Sequence, residues 1–270
     1  MATTSLTVNK LDIDVLRVGH GRPLLFLHPH LGRASSVDVL TALGESFDVI
    51  APSHPGFDRS SINDDFDSVD DLAYFYLDLL EQLDLSDVVL VGSSFGGWVA
   101  LEMAIKSVER IGQLVLIDSV GIKFGSPTDN DIADVFSMSE AAFAERAYGD
   151  LSFAPPPRDQ LTDDELLAVA TNREASARFA WLPCLYNPKL RQRLGRASRP
   201  TLVIQGAKDA ITAPSYGRDL AAALPHAEYR EIVGAGHFPH IEQPAVVARE
   251  IDRFAQRVVS QEGAAVSIEQ

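Results

Sequence analysis

Three residues spread along the 270-residue chain have side chains that together could perform nucleophilic catalysis. Ser94 lies at the centre of residues 92–96, Gly-Ser-Ser-Phe-Gly, which fit the pattern Gly-x-Ser-x-Gly. Asp209 follows a Gly-Ala-Lys segment, and His237 follows Gly-Ala-Gly. A serine hydroxyl becomes a good nucleophile when a base takes its proton and a third group orients that base. A serine, an acid and a histidine therefore predict acyl transfer through a covalent intermediate.

The surroundings of Ser94 favour a nucleophile over an ordinary glycine-rich turn. Residues 88–91, Val-Val-Leu-Val, predict a strand buried on both faces, and residues 98–105 combine helix formers with an apolar stripe. A sharp turn between strand and helix presents its central side chain away from the sheet. The glycine spacing selects Ser94 rather than its neighbour Ser93, and places it at a helix N-terminus, which favours negative charge.

The elements that must position these residues alternate between strands and helices. Helices are predicted around residues 35–43, 69–83, 98–105, 214–224 and 244–258. Strands are predicted for two short runs within residues 5–18, which form an antiparallel hairpin, and for 23–27, 47–51, 88–91, 114–118, 200–206 and 228–233. This alternation predicts an α/β protein, with a mostly parallel central sheet of about eight strands and helices on both faces.

The alternation is interrupted between residues 121 and 198. This stretch has no clear strand, contains amphipathic pieces around 129–148 and 163–180, and carries three consecutive prolines at 155–157. We expect residues 1–120 and 199–270 to form the core domain, and residues 121–198 an inserted helical cap. Ligands of parallel sheets bind beyond the carboxyl ends of the strands. His28, Ser94, Asp118, Asp209 and His237 all follow predicted strands, so we expect them at one edge, under the cap.

Over about residues 6–258 the chain resembles the capped α/β-hydrolases, through its Gly-x-Ser-x-Gly turn and its Ser, Asp, His order. The resemblance implies that Ser94 is the nucleophile, Asp209 the acid and His237 the base. Some members of this fold place the acid where Asp118 stands, so Asp118 competes for that role. Asp209 is the preferred candidate, and Asp118 is expected to cap or turn its strand end.

Two loops depart from the pattern of these hydrolases. The segment His28-Pro29-His30 stands where His-Gly-x is usual, and its position implies that the His30 N–H and the Phe95 N–H form the oxyanion hole. In the Pro-Gly-Phe-x-x-Ser segment at residues 55–60, Asp58 stands where glycine is usual.

The remaining histidines and the cap aromatics allow further predictions. Two histidines at positions 28 and 30 are a weak metal signal without a third ligand, so no metal or organic cofactor is expected. His240 is expected at the surface or the pocket rim. Phe238, Trp181 and Arg178 are the candidates for the substrate pocket, with Arg178 able to hold a carboxylate. Most cap aromatics are expected to pack the cap on the core: Phe124, Phe136, Phe143, Phe179, Trp181 and Tyr186.

The composition of the chain limits the classes of molecule that we expect it to bind. A net charge of −15 argues against nucleic acid and anionic membranes, which leaves a small-molecule substrate. The single cysteine, Cys184, excludes an internal disulfide framework. The first ten residues lack a basic segment followed by an apolar one, and no apolar run approaches the roughly 20 residues of a membrane span, so a cytoplasmic protein is expected. Whether it forms a homodimer stays open.

These observations predict a serine hydrolase that cleaves a small to medium, mainly apolar carboxylic ester or related acyl compound. A carbon–carbon bond hydrolase of ring-cleavage products ranks second, because Arg178 is compatible with it but Phe238 stands where tryptophan is expected. A cofactor-free perhydrolase ranks third. A receptor-like protein that binds its ligand with little turnover is the alternative from another class. Fold-level analogy alone does not identify the substrate.

Overall fold

One eight-stranded sheet runs through the computed structural model, which describes residues 2–126, 128–212 and 214–268. The strand order is β1-β2-β4-β3-β5-β6-β7-β8. The strands are β1 Ala2–Val8, β2 Leu11–Gly19, β3 Arg22–Leu27, β4 Phe47–Pro52, β5 Val88–Ser93, β6 Ile111–Ile117, β7 Thr201–Gly206 and β8 Ala227–Ile232.

The first two strands form the predicted hairpin, and β2 also pairs antiparallel with β4. All pairs from β3 to β8 are parallel. The central strands β3, β5, β6 and β7 are almost wholly buried because their apolar side chains are covered on both faces. This confirms the predicted α/β class with a mostly parallel sheet.

Helices cover both faces of the sheet and form two apolar layers with it. The layer on one face contains α2, α3 and α6, and the layer on the other contains α1 and α8. The helices are α1 Val37–Leu43, α2 Val69–Gln82, α3 Phe95–Lys106, α4 Glu140–Ala147, α5 Asp163–Ala180, α6 Pro214–Ala223, α7 Pro239–Glu242 and α8 Pro244–Ile268. The four-residue helix α7 was not predicted, and α8 is longer than predicted.

Between β6 and β7 the described residues form two α-helices, short 3-10 turns and loops, with isolated bridges at Gly121 and Ile132. The amphipathic piece at 129–148 is α-helical only in α4, because Ile132 instead forms a bridge with Thr212. The helix α5 begins where Thr162 and Glu165 exchange side-chain and backbone hydrogen bonds in a capping box. The boundaries of a cap domain at 121 and 198 stay a prediction.

Within the described ranges, no helix combines the length and the apolarity that a membrane crossing requires.

Candidate active site

Ser94 occupies the turn between β5 and α3 in a backbone conformation that is rare outside glycine, with φ of 50° and ψ of −112°. The strand and the helix approach so closely that a methyl group on Gly92 would overlap the Gly96 carbonyl. A methyl group on Gly96 would overlap the carbonyl of Leu27 in the neighbouring strand β3. The two glycines of the motif are thus required by backbone contact, and the packing they permit holds Ser94 in its strained turn.

His237 links Ser94 to Asp209. Its Nε2 lies 2.8 Å from Ser94 Oγ, and its Nδ1 lies 3.0 Å from Asp209 Oδ2. A carboxylate only accepts, so Nδ1 carries the ring hydrogen and Nε2 accepts from the serine hydroxyl. The His237 N–H also donates to the carbonyl of Ala147 at 2.7 Å, which fixes His237 to the end of α4. The structure therefore brings the three sequence-predicted residues together in a chain of hydrogen bonds.

Asp209 is held as a buried carboxylate. Its Oδ1 accepts the N–H groups of Ile211 at 2.7 Å and Thr212 at 3.1 Å, and its Oδ2 accepts the Thr212 hydroxyl. Burial alone would raise the pKa of Asp209, but the electrostatic interaction with His237 and the hydrogen bonds from His237, Thr212 and Asp118 outweigh it, so the pKa lies below its usual value. The acid is ionised and turned toward the imidazole.

Asp118 lies beside Asp209, and not on the histidine. Burial, followed by the charge of Asp209, raises the pKa of Asp118 well above its usual value, and its carboxyl accepts the Gly206 N–H at 3.0 Å. Asp118, Asp209 and His237 offer donor atoms within 4.8 Å of one another, a spacing that could hold a metal. These atoms already take part in hydrogen bonds, since Asp209 accepts from Ile211, Thr212 and His237 Nδ1–H and Asp118 accepts from the Gly206 N–H, which favours the hydrogen-bonded chain over a metal.

The sequence predicted the N–H groups of His30 and Phe95 as oxyanion donors. Neither N–H has a partner among the described backbone hydrogen bonds. Phe95 is the first residue of α3, where backbone N–H groups lack a partner within the helix. His30 belongs to a tight turn in which the Gly32 N–H donates to the Pro29 carbonyl at 3.1 Å.

Hydrogen bonds of two buried histidines, His28 and His54, support this turn. The His54 N–H donates to His28 Nε2 at 2.9 Å, so His28 carries its hydrogen on Nδ1 and donates it to the Pro29 carbonyl at 2.7 Å. His54 Nε2 donates to the His28 carbonyl at 2.9 Å, and its Nδ1 accepts the Tyr76 hydroxyl at 2.6 Å. Both rings are neutral, since burial lowers the pKa of His28 to about 4 and that of His54 well below 6.5.

A cavity of about 430 Å³ extends from His30 beneath the helices α4 and α5. Most of its wall is apolar, and Phe136 and Phe143 contribute to it, as does the proline run at 155–157. Arg173 also lines the cavity, and its Nη2 donates to the carbonyl of Phe136 at 3.5 Å. Sequence reasoning did not identify Arg173, and its only signal was a position four residues after Val169, which lines the same cavity.

The three predicted pocket residues do not line this cavity. Trp181 is 62% exposed. Arg178 points to the carbonyl of Asn63 and the carboxylate of Asp64. Arg178 and Trp181 both follow Ser176, the last residue of α5 that lines the cavity. Phe238 is fully buried behind the wall, with its ring centroid 5.9 Å from that of His30. The expectation for His240 was wrong, since it is buried with Nδ1 3.2 Å from Ser93 Oγ.

The sequence and the fold were compared with those of known proteins. The profile of the alpha/beta hydrolase family matches residues 20–250. The 2-hydroxymuconate semialdehyde hydrolase of Pseudomonas sp. (strain CF600) is 29% identical over 255 residues, which are 87% of each chain.

Two further proteins extend the comparison. The bifunctional biotin biosynthesis protein BioHC of Teredinibacter turnerae is 28% identical over 238 residues, 81% of this chain, and the chain spans 41% of that protein's length. The solved structure of a thermophilic esterase from Thermogutta terrifontis, with malate bound, superposes with a TM-score of 0.73 at 25% identity, over 96% of this chain and 99% of the esterase.

Proposed function

The chain belongs to the alpha/beta hydrolase family, and on that premise we propose that it is a serine hydrolase acting on a small to medium, mainly apolar ester or related acyl compound. The hydrogen-bonded chain from Ser94 through His237 to Asp209 is the observation that carries the proposal. Its tautomer is the one that a general base requires, with Nε2 free to accept the serine proton.

In the proposed reaction, Ser94 Oγ attacks the carbonyl carbon of the substrate while His237 Nε2 takes its proton. The N–H groups of His30 and Phe95 stabilise the oxyanion that forms. The imidazolium then protonates the leaving group, which departs and leaves an acyl-enzyme. Water deprotonated by His237 hydrolyses the acyl-enzyme, and ionised Asp209 stabilises the imidazolium in both halves of the reaction.

The cavity supports an apolar acyl group of limited size. We propose residues 121–198 as the cap that forms its roof, over a core of residues 1–120 and 199–270. Its volume of about 430 Å³ lies at the lower end of the range of roughly 300–1,000 Å³ typical of small-molecule sites. Phe136, Phe143 and the prolines supply apolar contacts but few hydrogen bonds, which favours a hydrocarbon chain over a sugar or a peptide.

The test is turnover of p-nitrophenyl esters of increasing acyl length by the native chain and by Ser94→Ala. We expect a burst of p-nitrophenol, an optimum at short to medium acyl chains, and a loss of at least about 10³-fold in the variant. Failure of a fluorophosphonate to label Ser94 in the folded native chain would refute the nucleophile. Labelling with ligand retention but no turnover of any ester would favour a receptor-like protein.

Carbon–carbon bond hydrolysis is the second candidate, favoured by the likeness to the 2-hydroxymuconate semialdehyde hydrolase and by Arg173 on the cavity wall. A guanidinium there could pair with the carboxylate of a ring-cleavage product, the role that the sequence had suggested for Arg178. Decay of the visible absorbance of such a product, with no turnover of esters, would select this reaction over ester hydrolysis.

A further inference from the structure

Two side chains of the helix α5 hydrogen-bond the turn that carries His30: Ser176 Oγ lies 3.3 Å from the His30 carbonyl, and the buried amide of Asn172 reaches the next residue. Asn172 Nδ2 donates both to the Leu31 carbonyl at 3.2 Å and to Asp58 Oδ1 at 3.0 Å. Asn172 Oδ1 accepts the Asp58 N–H at 2.8 Å. Asn172 is buried, and both of its amide hydrogens and its oxygen are engaged. A residue between β6 and β7 thereby holds two loops that follow β3 and β4.

Asp58, which replaces the usual glycine, is the centre of this arrangement. Its backbone has φ of 51°, which a short polar side chain tolerates better than most others. Its Oδ2 accepts the Ser53 hydroxyl at 2.6 Å and the Arg33 N–H at 3.2 Å. Burial raises the pKa of Asp58, but His28, these two donors and Asn172 lower it by more. The pKa therefore lies below its usual value. The carboxylate stays charged.

Gly32 interlocks with this pair. It has φ of 89°, and a methyl group added to it would overlap Asn172 Nδ2 and lie 2.7 Å from Asp58 Oδ1. Only a residue without a side chain admits the amide of Asn172 at this place. We name Gly32, Asp58 and Asn172 the amide clamp.

The amide clamp leads to the oxyanion donor through two peptide planes. The Leu31 carbonyl, which accepts from Asn172, shares its peptide with the Gly32 N–H, which donates to the Pro29 carbonyl. The Pro29 carbonyl in turn shares its peptide with the His30 N–H. In a trans peptide the carbonyl and the N–H point in opposite directions, so fixing one aims the other. Hydrogen bonds in such a series also polarise one another.

We propose that the amide clamp aims the His30 N–H at the oxyanion through this series of peptides, so that Asn172 and Asp58 are positioning residues for acyl transfer. This rests on the proposed function. The oxyanion hole is then complete only while α5 contacts the loop that carries His30. The position of α5 therefore sets the affinity of the site for the transition state.

The test measures kcat and KM for p-nitrophenyl acetate and the Ki of 1,1,1-trifluoro-2-butanone, whose adduct with a serine carries an oxyanion. For Asn172→Ala we expect kcat to fall and Ki to rise by the same factor of at least about ten, with KM within about twofold; removing an oxyanion donor outright costs roughly 10²–10³. Glu174→Gln, on an exposed position of the same helix, is the matched control and should change neither constant.

The double variant Asp58→Asn/Asn172→Asp distinguishes a clamp that orients the His30 N–H from a clamp that only attaches α5 to the loop. It can restore the bond between residues 58 and 172, but it turns a carboxylate oxygen toward the Leu31 carbonyl. We expect it to regain melting temperature relative to Asn172→Ala without regaining kcat or ketone affinity. If Asn172→Ala does not fold, Asp58→Asn alone carries the test, with a loss of at least about threefold in both readings.

Three outcomes overturn the proposal. Unchanged kcat and Ki in the folded single variants would show that the clamp does not act on the oxyanion. Recovery of both constants in the exchanged pair would show that it only attaches α5. A native chain that neither hydrolyses esters nor binds the ketone would refute the proposed function and this inference with it, and the native protein alone reveals that case.

Discussion

Three fully buried histidines should make this protein sensitive to mild acid. His28, His54 and His240 are all inaccessible to solvent. Burial lowers the pKa of His28 to about 4 and that of His240 to about 3, and lowers that of His54 well below 6.5. The unfolded chain therefore binds more protons than the folded chain below pH 6.5. Stability is complete above that pH and falls as the pH drops toward the folded-state values.

The magnitude follows from the width of this window. About pH 5 is roughly 1.5 units below the pKa of a histidine in the unfolded chain, so His28 and His240 each cost about 2 kcal/mol of stability at that pH. His28 and His240 together cost about 4 kcal/mol, against a total of about 5–15 kcal/mol for an ordinary domain, and His54 acts in the same direction. We expect unfolding between about pH 5 and 4, before most carboxylates titrate.

The assay is urea unfolding followed by tryptophan fluorescence at pH 7, 6, 5.5 and 5. His240→Gln should lower stability at pH 7 but reduce the slope of the unfolding free energy against pH by about 1.4 kcal/mol per unit, the contribution of one proton. His226→Gln, at an exposed position, is the control and should keep the native slope. A native slope under about 1 kcal/mol per unit between pH 6 and 5 would refute the reasoning, as would an unchanged slope in His240→Gln.

Further variants test the site and the packing around it. Asp209→Asn should lower kcat by about 10³–10⁴, because the N–H groups of Ile211 and Thr212 hold the amide oxygen at the Oδ1 position and the uncharged NH₂ group then faces His237 Nδ1. Asp118→Asn, which resembles a neutral carboxyl, should stay within about tenfold, and equal losses would contradict the assignment of the acid. Gly96→Ala should destabilise the fold by at least about 3 kcal/mol in urea unfolding, since the methyl group meets backbone atoms, and a stable variant would contradict the close approach. Phe143→Trp should shorten the preferred acyl chain of p-nitrophenyl esters by at least two carbons, and an unchanged optimum would place the acyl group elsewhere.

The sequence predicted the sheet and the positions around Ser94 because both are encoded locally. Four consecutive apolar residues before a Gly-x-Ser-x-Gly turn leave little choice of structure, and the same holds for the strands that precede Asp118 and Asp209. The amphipathic piece around 129–148 is helical only in α4, because Ile132 in its first part pairs with Thr212, a residue distant in sequence.

The cavity wall could not be predicted in the same way. Arg178 and Trp181 were selected for their side-chain types, but the face that α5 turns toward the site is set by packing. The cavity lies along positions 169, 172, 173 and 176, a stripe of one helical face, and the two predicted residues follow its end. The role of Asn172 was equally hidden, since its partners Leu31 and Asp58 are more than a hundred residues away.

The interlocking of Gly32 with Asn172 bears on how such a protein can be recombined. One residue belongs to the loop after β3 and the other to the insertion between β6 and β7, so the fit crosses the junction at which a designer would cut. A chimera that receives a foreign insertion without asparagine at this place would retain a glycine facing an empty space and a loop without its donor. Loop and insertion should therefore be transplanted together, and libraries that vary the insertion alone should hold position 172 fixed.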